Sequence, residues 1–325
     1  MAKCVCAVMA VVLLVQCGVA DEMPRKFPDL PTGVTSFGAA TLNGALYVYG
    51  GHKGEAHQYY VKGQSNELWK LDLSQPEKWE VVATGPRLQG LALVAHGDSL
   101  YRLGGFTARN KQGEEHDLLS VPDFARFNLA TGNWETLVPM PQPRSSFDAV
   151  VVGNLLYVAG GWALKGGSET EWHSSAYVVD LAADPLAWRA LPPPPFQRRA
   201  VSLGACDGRV YVIGGMQPQG GPTTSVFAYD PRSQQWSEGP ALVGEPMAGF
   251  GSSAFALGER LFVTTFDGTL QELVDNGTRW KVVKKLERAR FFHRLVPFDE
   301  QRLISVGGAN MQIGKFLEVD VIAPE

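Results

Sequence analysis

Short alternations of apolar and polar residues, five to seven long and separated by turn residues, recur along nearly the whole chain. In the first group, "FGAATL" and "ALYVYGG" flank Asn43-Gly44, a pair that favours a tight hairpin, and "ELWKLDL" and "KWEVV" follow after a longer loop. Alternation of this kind predicts strands, so each group reads as four short strands joined by turns. The second strand of a group ends in a glycine doublet, closing "ALYVYGG" at Gly51, "SLYRLGG" at Gly105, "LLYVAGG" at Gly161, "RVYVIGG" at Gly215 and "RLISVGG" at Gly308. A degenerate copy, "RLFVTTF", carries Thr264 and Thr265 in the glycine places. The pairs begin at positions 50, 104, 160, 214, 264 and 307, a period near 50 residues, and such self-similarity marks a repeat architecture.

Within each unit a turn precedes a tryptophan that opens the fourth strand: Trp79, Trp134, Trp188, Trp236 and Trp280. These indoles are read as wedges between neighbouring sheets. Glycine doublet, aromatic third strand, turn, Trp and a Pro/Arg-containing link together resemble the kelch-repeat family over essentially the whole chain beyond its N-terminal segment. The resemblance implies an all-β fold, a six-bladed kelch β-propeller with radial four-stranded blades around a channel. The glycines then sit where the chain turns close to neighbouring backbone, a place that tolerates no Cβ. Thr264 and Thr265 mark blade five as the most irregular. The last unit supplies three strands, "FFHRLVPF", "RLISVGG" and "KFLEVDVI". Near the other end "RKFPDLPTGVTSF" compares with "WETLVPMPQPRSSF", so Met23 to Leu30 are expected to complete blade six and leave no open edge.

The N-terminus, "MAKCVCAVMAVVLLVQCGVADE", has Lys3, an apolar run from Val5 to Val15, and small residues at Gly18 and Ala20. That is the pattern of a secretory signal peptide over residues 1–20, leaving 21–325 as one propeller domain, secreted or periplasmic. The run is shorter than the roughly 20 residues a spanning helix needs, so no membrane span is expected. A lipoprotein signal at Cys17 is the minor alternative, disfavoured by Gln16. Cleavage would remove Cys4, Cys6 and Cys17, leaving Cys206 and no internal disulfide. Lys and Arg number 29 against 33 Asp and Glu, which gives no basic stripe for nucleic acid. The protein is expected to be a monomer, and Asn276, in the turn before Trp280, is left open as a glycosylation position.

Loop length breaks the symmetry of the repeat. After the glycine doublets the chain loops over residues 52–65, 106–122 and 162–175 in the first three units, but over far shorter segments in the others. An asymmetric rim points to a recognition surface, because a scaffold requirement would apply to every blade. The long loops hold His52, His57, Tyr59, Tyr60, Phe106, Arg109, His116, Trp162, Glu169, Glu171, Trp172 and His173. Their histidines show no short metal-ligand spacing, so no metal and no cofactor is expected. Tyr and Trp faces with Glu, Arg and His suit a sugar or a protein epitope, with Tyr59, Tyr60, Trp162 and Trp172 as anchors. On the links, Arg87, Arg144, Arg198 and Arg290 repeat at one pattern position and are read as structural, whereas Arg199 and His293 are site candidates beside the channel, with Ser145, Ser146 and Phe292 on its floor.

The reading is an exported binding module for a protein or a glycan. A copper-radical oxidase resembling galactose oxidase is disfavoured, because Cys206 reads as a small core residue. Similarity in size and architecture to sialic-acid mutarotases implies the alternative, a sugar mutarotase or epimerase. Glu169, Glu171, His173 and Arg199 would then serve as acid, base and cation.

Overall fold

The computed structural model describes residues 27–324. Five antiparallel sheets follow the four-strand reading of the repeat. Blade one is Gly38–Leu42, Ala45–Tyr49, Glu67–Asp72 and Glu80–Thr84; blade two is Ala92–His96, Ser99–Leu103, Phe124–Asn128 and Asn133–Thr136. Blade three is Asp148–Val152, Leu155–Ala159, Tyr177–Asp180 and Trp188–Ala190; blade four is Ser202–Cys206, Arg209–Ile213, Val226–Asp230 and Gln235–Gly239. Blade five is Ser253–Leu257, Arg260–Thr264, Thr269–Val274 and Arg279–Lys285. A sixth sheet has three strands among the described residues: Arg294–Pro297, Leu303–Val306 and Val319–Ile322. The first strands of successive sheets contact one another in order, and that of the sixth contacts that of the first. Side chains from facing sheets fill the space between blades, as in the cluster of Leu46, Val48, Leu71, Ile304 and Val306.

The N-terminal segment reaches this sixth sheet. Phe27 is buried edge-on to Phe298 at 5.6 Å, and Leu30 N donates to Leu317 O at 2.8 Å. The second bond repeats Met140 N to Pro122 O and Leu242 N to Thr224 O, so residues 27–30 have the place of a link leaving a fourth strand. Residues 27–30 themselves form no strand. Met23 to Lys26, where the closing strand is expected, lie outside the described residues.

The tryptophans wedge between blades with a shared hydrogen bond. Nε1 of Trp79, Trp188, Trp236 and Trp280 donates to the carbonyl of Pro28, Val138, Pro192 and Pro240 respectively, each on the link one blade earlier. Trp134 is the exception: its Nε1 has no partner, and the Arg102 guanidinium lies 4.7 Å from its ring centroid.

Two kinds of backbone bond stitch neighbouring blades. The second glycine of a doublet donates to the next link: Gly51 to Leu88, Gly105 to Arg144, Gly161 to Arg198, Gly215 to Gly249 and Gly308 to Val34. At Gly161, φ is 90°, and a Cβ would stand 2.7 Å from Ser145 O, so glycine is required there. The other bonds run around the channel mouth through residues of positive φ: Ser36, Gly90, Ser146, Ala200, Gly251 and Phe292. Gly90 donates to Ser36, Ser146 to Gly90, Ala200 to Ser146, Phe292 to Gly251 and Ser36 to Phe292. Every seam carries one bond of each kind except the two flanking blade five. Gly251 N makes no such bond to Ala200, and Thr265 N turns inward to Thr269 O.

Inside the channel, Arg294 pins several blades together. Its Nη1 meets Asp148 Oδ1 at 2.8 Å, Nε donates to Phe37 O and Nη2 to Leu91 O, while Asp148 Oδ2 accepts Leu203 N. The sequence pattern groups Arg87 with Arg144, Arg198 and Arg290, and the structure corrects this. Leu88 has the equivalent place, two residues before the mouth residue, and Arg87 instead donates to Gln64 O. The long segments of blades two and three are also not plain loops. Phe106–Ala108, Leu118–Ser120, Trp162–Lys165 and Ser168–Trp172 pair into one extra four-stranded sheet bridging the two blades. Alternate burial of Phe106 and Ala108, with Ala163 and Ser120, gives that sheet its inner face.

Candidate functional site: the loop face

On the face where the doublets end, each link residue just before the mouth meets the residue just after a doublet. Thr35 bridges to His52, Gln89 to Phe106, Ser145 to Trp162, Arg199 to Met216 and Phe291 to Ala309. This register sets which side chains surround the mouth, and the two halves of the face differ.

On the side of blades one to four the surroundings are polar and aromatic. Tyr59 leans from the first long loop onto His52, His116 and Phe106, with ring centroids at 5.2, 5.4 and 6.0 Å. Burial raises the Tyr59 phenol pKa, and the nearby Arg199 cation opposes that rise. The Arg199 guanidinium stacks on Trp162 at 4.1 Å and approaches Trp172 at 5.7 Å, while the two indoles meet edge to face at 5.4 Å. Arg199 has no carboxylate or other side-chain hydrogen-bond partner among the described residues, and burial lowers its pKa. Two more buried polar atoms on this face lack partners, Trp162 Nε1 and Gln89 Oε1. A cation held between indoles gains from the ring quadrupoles, worth about 0.5–2 kcal/mol, but its hydrogen-bonding capacity stays open.

On the side of blades five and six the face is made of phenylalanines. Phe250 touches Phe266, Phe291 and Phe292 with centroids 5.0–5.9 Å apart, and Phe266 stacks on Phe291 at 5.6 Å. All four are half-buried, and exposed Met247 lies close in sequence on the same link.

The structure distributes the other sequence candidates as follows. His52 is buried, its Nε2 is 3.0 Å from Gln58 O, and burial lowers its pKa. His57 is exposed at φ 63°, and half-buried Tyr60 covers Gly63. Arg109 is exposed and paired with Asp117 at 2.6 Å, and exposed His116 accepts Tyr59 N at 3.3 Å. Glu169 is exposed; Glu171, also exposed, is paired with Lys165 at 2.6 Å, which lowers its pKa. His173 is buried beneath the extra sheet with Nε2 2.9 Å from Pro143 O, and burial brings its pKa down to about 4. His293 is buried with Nε2 2.5 Å from Thr264 Oγ1; burial, then Arg290 and Arg294, brings its pKa to about 3. Ser145 Oγ bonds Ser120 Oγ at 2.7 Å, while Ser146 and Phe292 belong to the mouth ring.

The structure thus brings together Tyr59, His52, His116, Trp162, Trp172 and Arg199. It keeps Glu171 on Lys165 and His173 on a backbone carbonyl. Among the described residues no three His, Cys, Asp or Glu side chains form a metal-sized group, and no helix is long and apolar enough to cross a membrane. Gln89, Phe250, Phe266 and Phe291 were not singled out from sequence. The signal that finds them is positional, the residue just before the mouth or just after the doublet.

A family model described as the KLHDC2/KLHL20/DRC7 Kelch-repeats domain matches residues 86–268, more than half of the chain. The chain belongs to the kelch-repeat family. Human Kelch repeat and BTB domain-containing protein 12 is 26% identical over 212 residues, covering 62% of this chain and 33% of the relative. Mouse Kelch-like protein 35 is 26% identical over 216 residues, covering 66% and 32%. This kelch chain therefore spans about a third of the length of those relatives. An N-(sulfonatooxy)prop-2-enimidothioate sulfolyase of Thlaspi arvense is 25% identical over 241 residues, covering 67% of this chain and 65% of the relative. The solved structure of YjhT superposes with a TM-score of 0.72 at 15% identity, over 92% of this chain and 99% of that one. That likeness concerns the kelch propeller fold.

Proposed function

We propose that this kelch propeller is a binding module acting after export, and that its loop face recognises a segment of a partner protein. Membership of the kelch family supports an interaction role. The observation that carries the finer reading is Arg199. A half-buried guanidinium with no acceptor, stacked on Trp162 and flanked by Tyr59, is set to receive an acidic group. Across the mouth, Phe250, Phe266, Phe291 and Phe292 offer an apolar seat. A segment with an acidic residue next to a large apolar one would meet both halves, and aromatic and Arg anchors commonly dominate such interfaces.

Phage display of random peptides against the whole domain tests this, with counter-selection on Arg199→Glu. Enriched peptides should pair Asp or Glu with an apolar residue and should lose at least tenfold in affinity on Arg199→Glu. Binders that ignore Arg199→Glu and Phe291→Ala alike would sink the reading. A glycan array run in parallel decides whether sugars rather than peptides are bound.

A further inference from the structure

The links into blades three, four and six carry the same arginine in the same place, and one of the three is left incomplete. In each, Nη1 donates to the carbonyl of the first doublet glycine and to a carbonyl at the start of the third strand. Arg144 takes Gly160 O and Ser175 O, Arg198 takes Gly214 O and Ser225 O, and Arg290 takes Gly307 O and Glu318 O. The second arm differs. Arg144 Nη2 donates to Ser175 Oγ at 2.6 Å, and Arg290 Nη2 pairs with the carboxylate of Asp320. Arg198 Nη2 has no partner, although the residue is 3% exposed.

Sequence register explains why no carboxylate reaches Arg198, while Ser225, which aligns with Ser175, makes no side-chain bond to Nη2. Asp320 stands two residues after Glu318, and the residue two after Ser225 is Phe227. The Arg198 guanidinium is instead held between Phe196 and Phe227, 4.5 and 5.2 Å from their centroids. Burial alone brings its pKa down to about 10, with no acidic group opposing. Arg198 also lines a groove of about 510 Å³ at the junction of blades three and four, walled by Pro195, Phe196, Gln197, Gln217, Pro218 and Phe227. Arg198, Phe196, Phe227 and the amide-bearing Gln217 and Gln219 line this one groove, with Nη2 covered by the two rings.

We propose that this groove is a carboxylate-binding site, in which the acid of an aromatic ligand takes on Arg198 the place that Asp320 holds on Arg290. The site is separate from the loop-face centre, because Arg199, the next residue, turns the other way onto Trp162 and Trp172. Nη2 is covered in the free chain, so binding shifts the Phe196 or Phe227 ring; the carboxylate then accepts from Nη2 in a charge-assisted bond while the ligand ring packs against the phenyl beside it.

The test uses fluorine NMR of 4-fluorobenzoate against its neutral analogue 4-fluorobenzamide on the whole domain. The acid should bind at least tenfold more tightly than the amide. Phe227→Asp installs the internal carboxylate and should abolish acid binding while the protein stays folded. Arg198→Lys, which keeps the charge but removes the second arm, should weaken the acid at least fivefold and covers the case in which Phe227→Asp does not fold. N-acetylphenylalanine distinguishes the source of the acid: tighter binding than 4-fluorobenzoate assigns the groove to a chain terminus, weaker binding to a free aromatic acid. Equal binding of acid and amide, no saturable binding, or unchanged binding in Arg198→Lys overturns the proposal.

Discussion

Replacing Asp148 by Ala removes the acidic half of the pin inside the channel. The Asp148 side chain is 7% exposed and that of Arg294 is 19% exposed, so the charge left behind is largely shut away from water. Breaking a buried pair by deleting one partner costs about 3–5 kcal/mol. Arg294 keeps its bonds to Phe37 O and Leu91 O and some contact with solvent, which argues for the low end of that range. Leu203 N, which donates to Asp148 Oδ2 at 3.0 Å, loses its acceptor, and an orphaned buried donor costs a further 1–3 kcal/mol or so. These terms overlap, so a loss of about 4 kcal/mol is expected for Asp148→Ala. Asp148→Asn keeps an acceptor for Leu203 N and should lose about half as much. Urea unfolding followed by tryptophan fluorescence reads both values, with the slope checked for constancy between variants. A double-mutant cycle with Arg294→Met should give a coupling of at least about 1 kcal/mol. Loss of less than 1 kcal/mol in Asp148→Ala, or additive single mutants, would refute the idea that this pair pins the blades.

Phe27→Ala should destabilise by about 3–4 kcal/mol in the same assay, because the ring is 3% exposed and packs on Phe298 in the cluster shared by blades one and six. A loss under 1 kcal/mol would mean the N-terminal segment does not hold that seam. Gly161→Ala should cost about 3 kcal/mol, as its Cβ would meet Ser145 O at 2.7 Å, whereas Gly153→Ala, also at positive φ but with nothing within 4 Å, should cost about 1 kcal/mol. Equal melting temperatures for the two variants would contradict this reading of the doublets. His173 binds its proton less readily when folded, at a pKa of about 4, than in the unfolded chain near 6.5. Stability should therefore be intact above pH 6.5 and fall as the pH drops towards 4, by an amount on the order of 3 kcal/mol. His173→Gln, compared with the parent in urea at pH 7 and pH 4.5, should flatten that fall, and an unchanged slope would exclude His173 as its source.

Much of the architecture was written in local pattern. The doublet ending at Gly161 and the turn before Trp188 repeat because every blade solves the same steric problem, so period and strand count emerge from residues a few positions apart. What stayed hidden depends on residues distant in sequence. The sheet joining Phe106–Ala108 to Ser168–Trp172 read as loop because its strands are short, and its two local hairpins meet only where Trp162–Lys165 pairs with Leu118–Ser120 across the blades. Arg87 looked equivalent to Arg144 by its neighbours, yet a shift of one residue gives the place to Leu88, a displacement visible only through bonds to the doublets. At the site, Arg199 and Trp162 were legible by residue type. The Phe250, Phe266 and Phe291 half was not, because two ordinary apolar residues on links and one after the threonine pair of blade five acquire meaning only when the ring of blades brings them side by side.

The pair of seams around blade five also bears on where the chain could be cut and rejoined. A circular permutant must sever backbone somewhere along the circumference, and every seam except those two holds both a doublet bond and a mouth bond. Opening the chain in the link 240–252 would disturb the junction already lacking the bond from Gly251 to Ala200. Opening it between blades one and two would instead disturb Gly51 to Leu88 and Gly90 to Ser36 together. New termini in the link 240–252 would sever fewer backbone bonds than at a seam holding both kinds, with Gly215 N to Gly249 O and the Ser202 Oγ to Ser252 Oγ bond at 3.0 Å left to hold the junction.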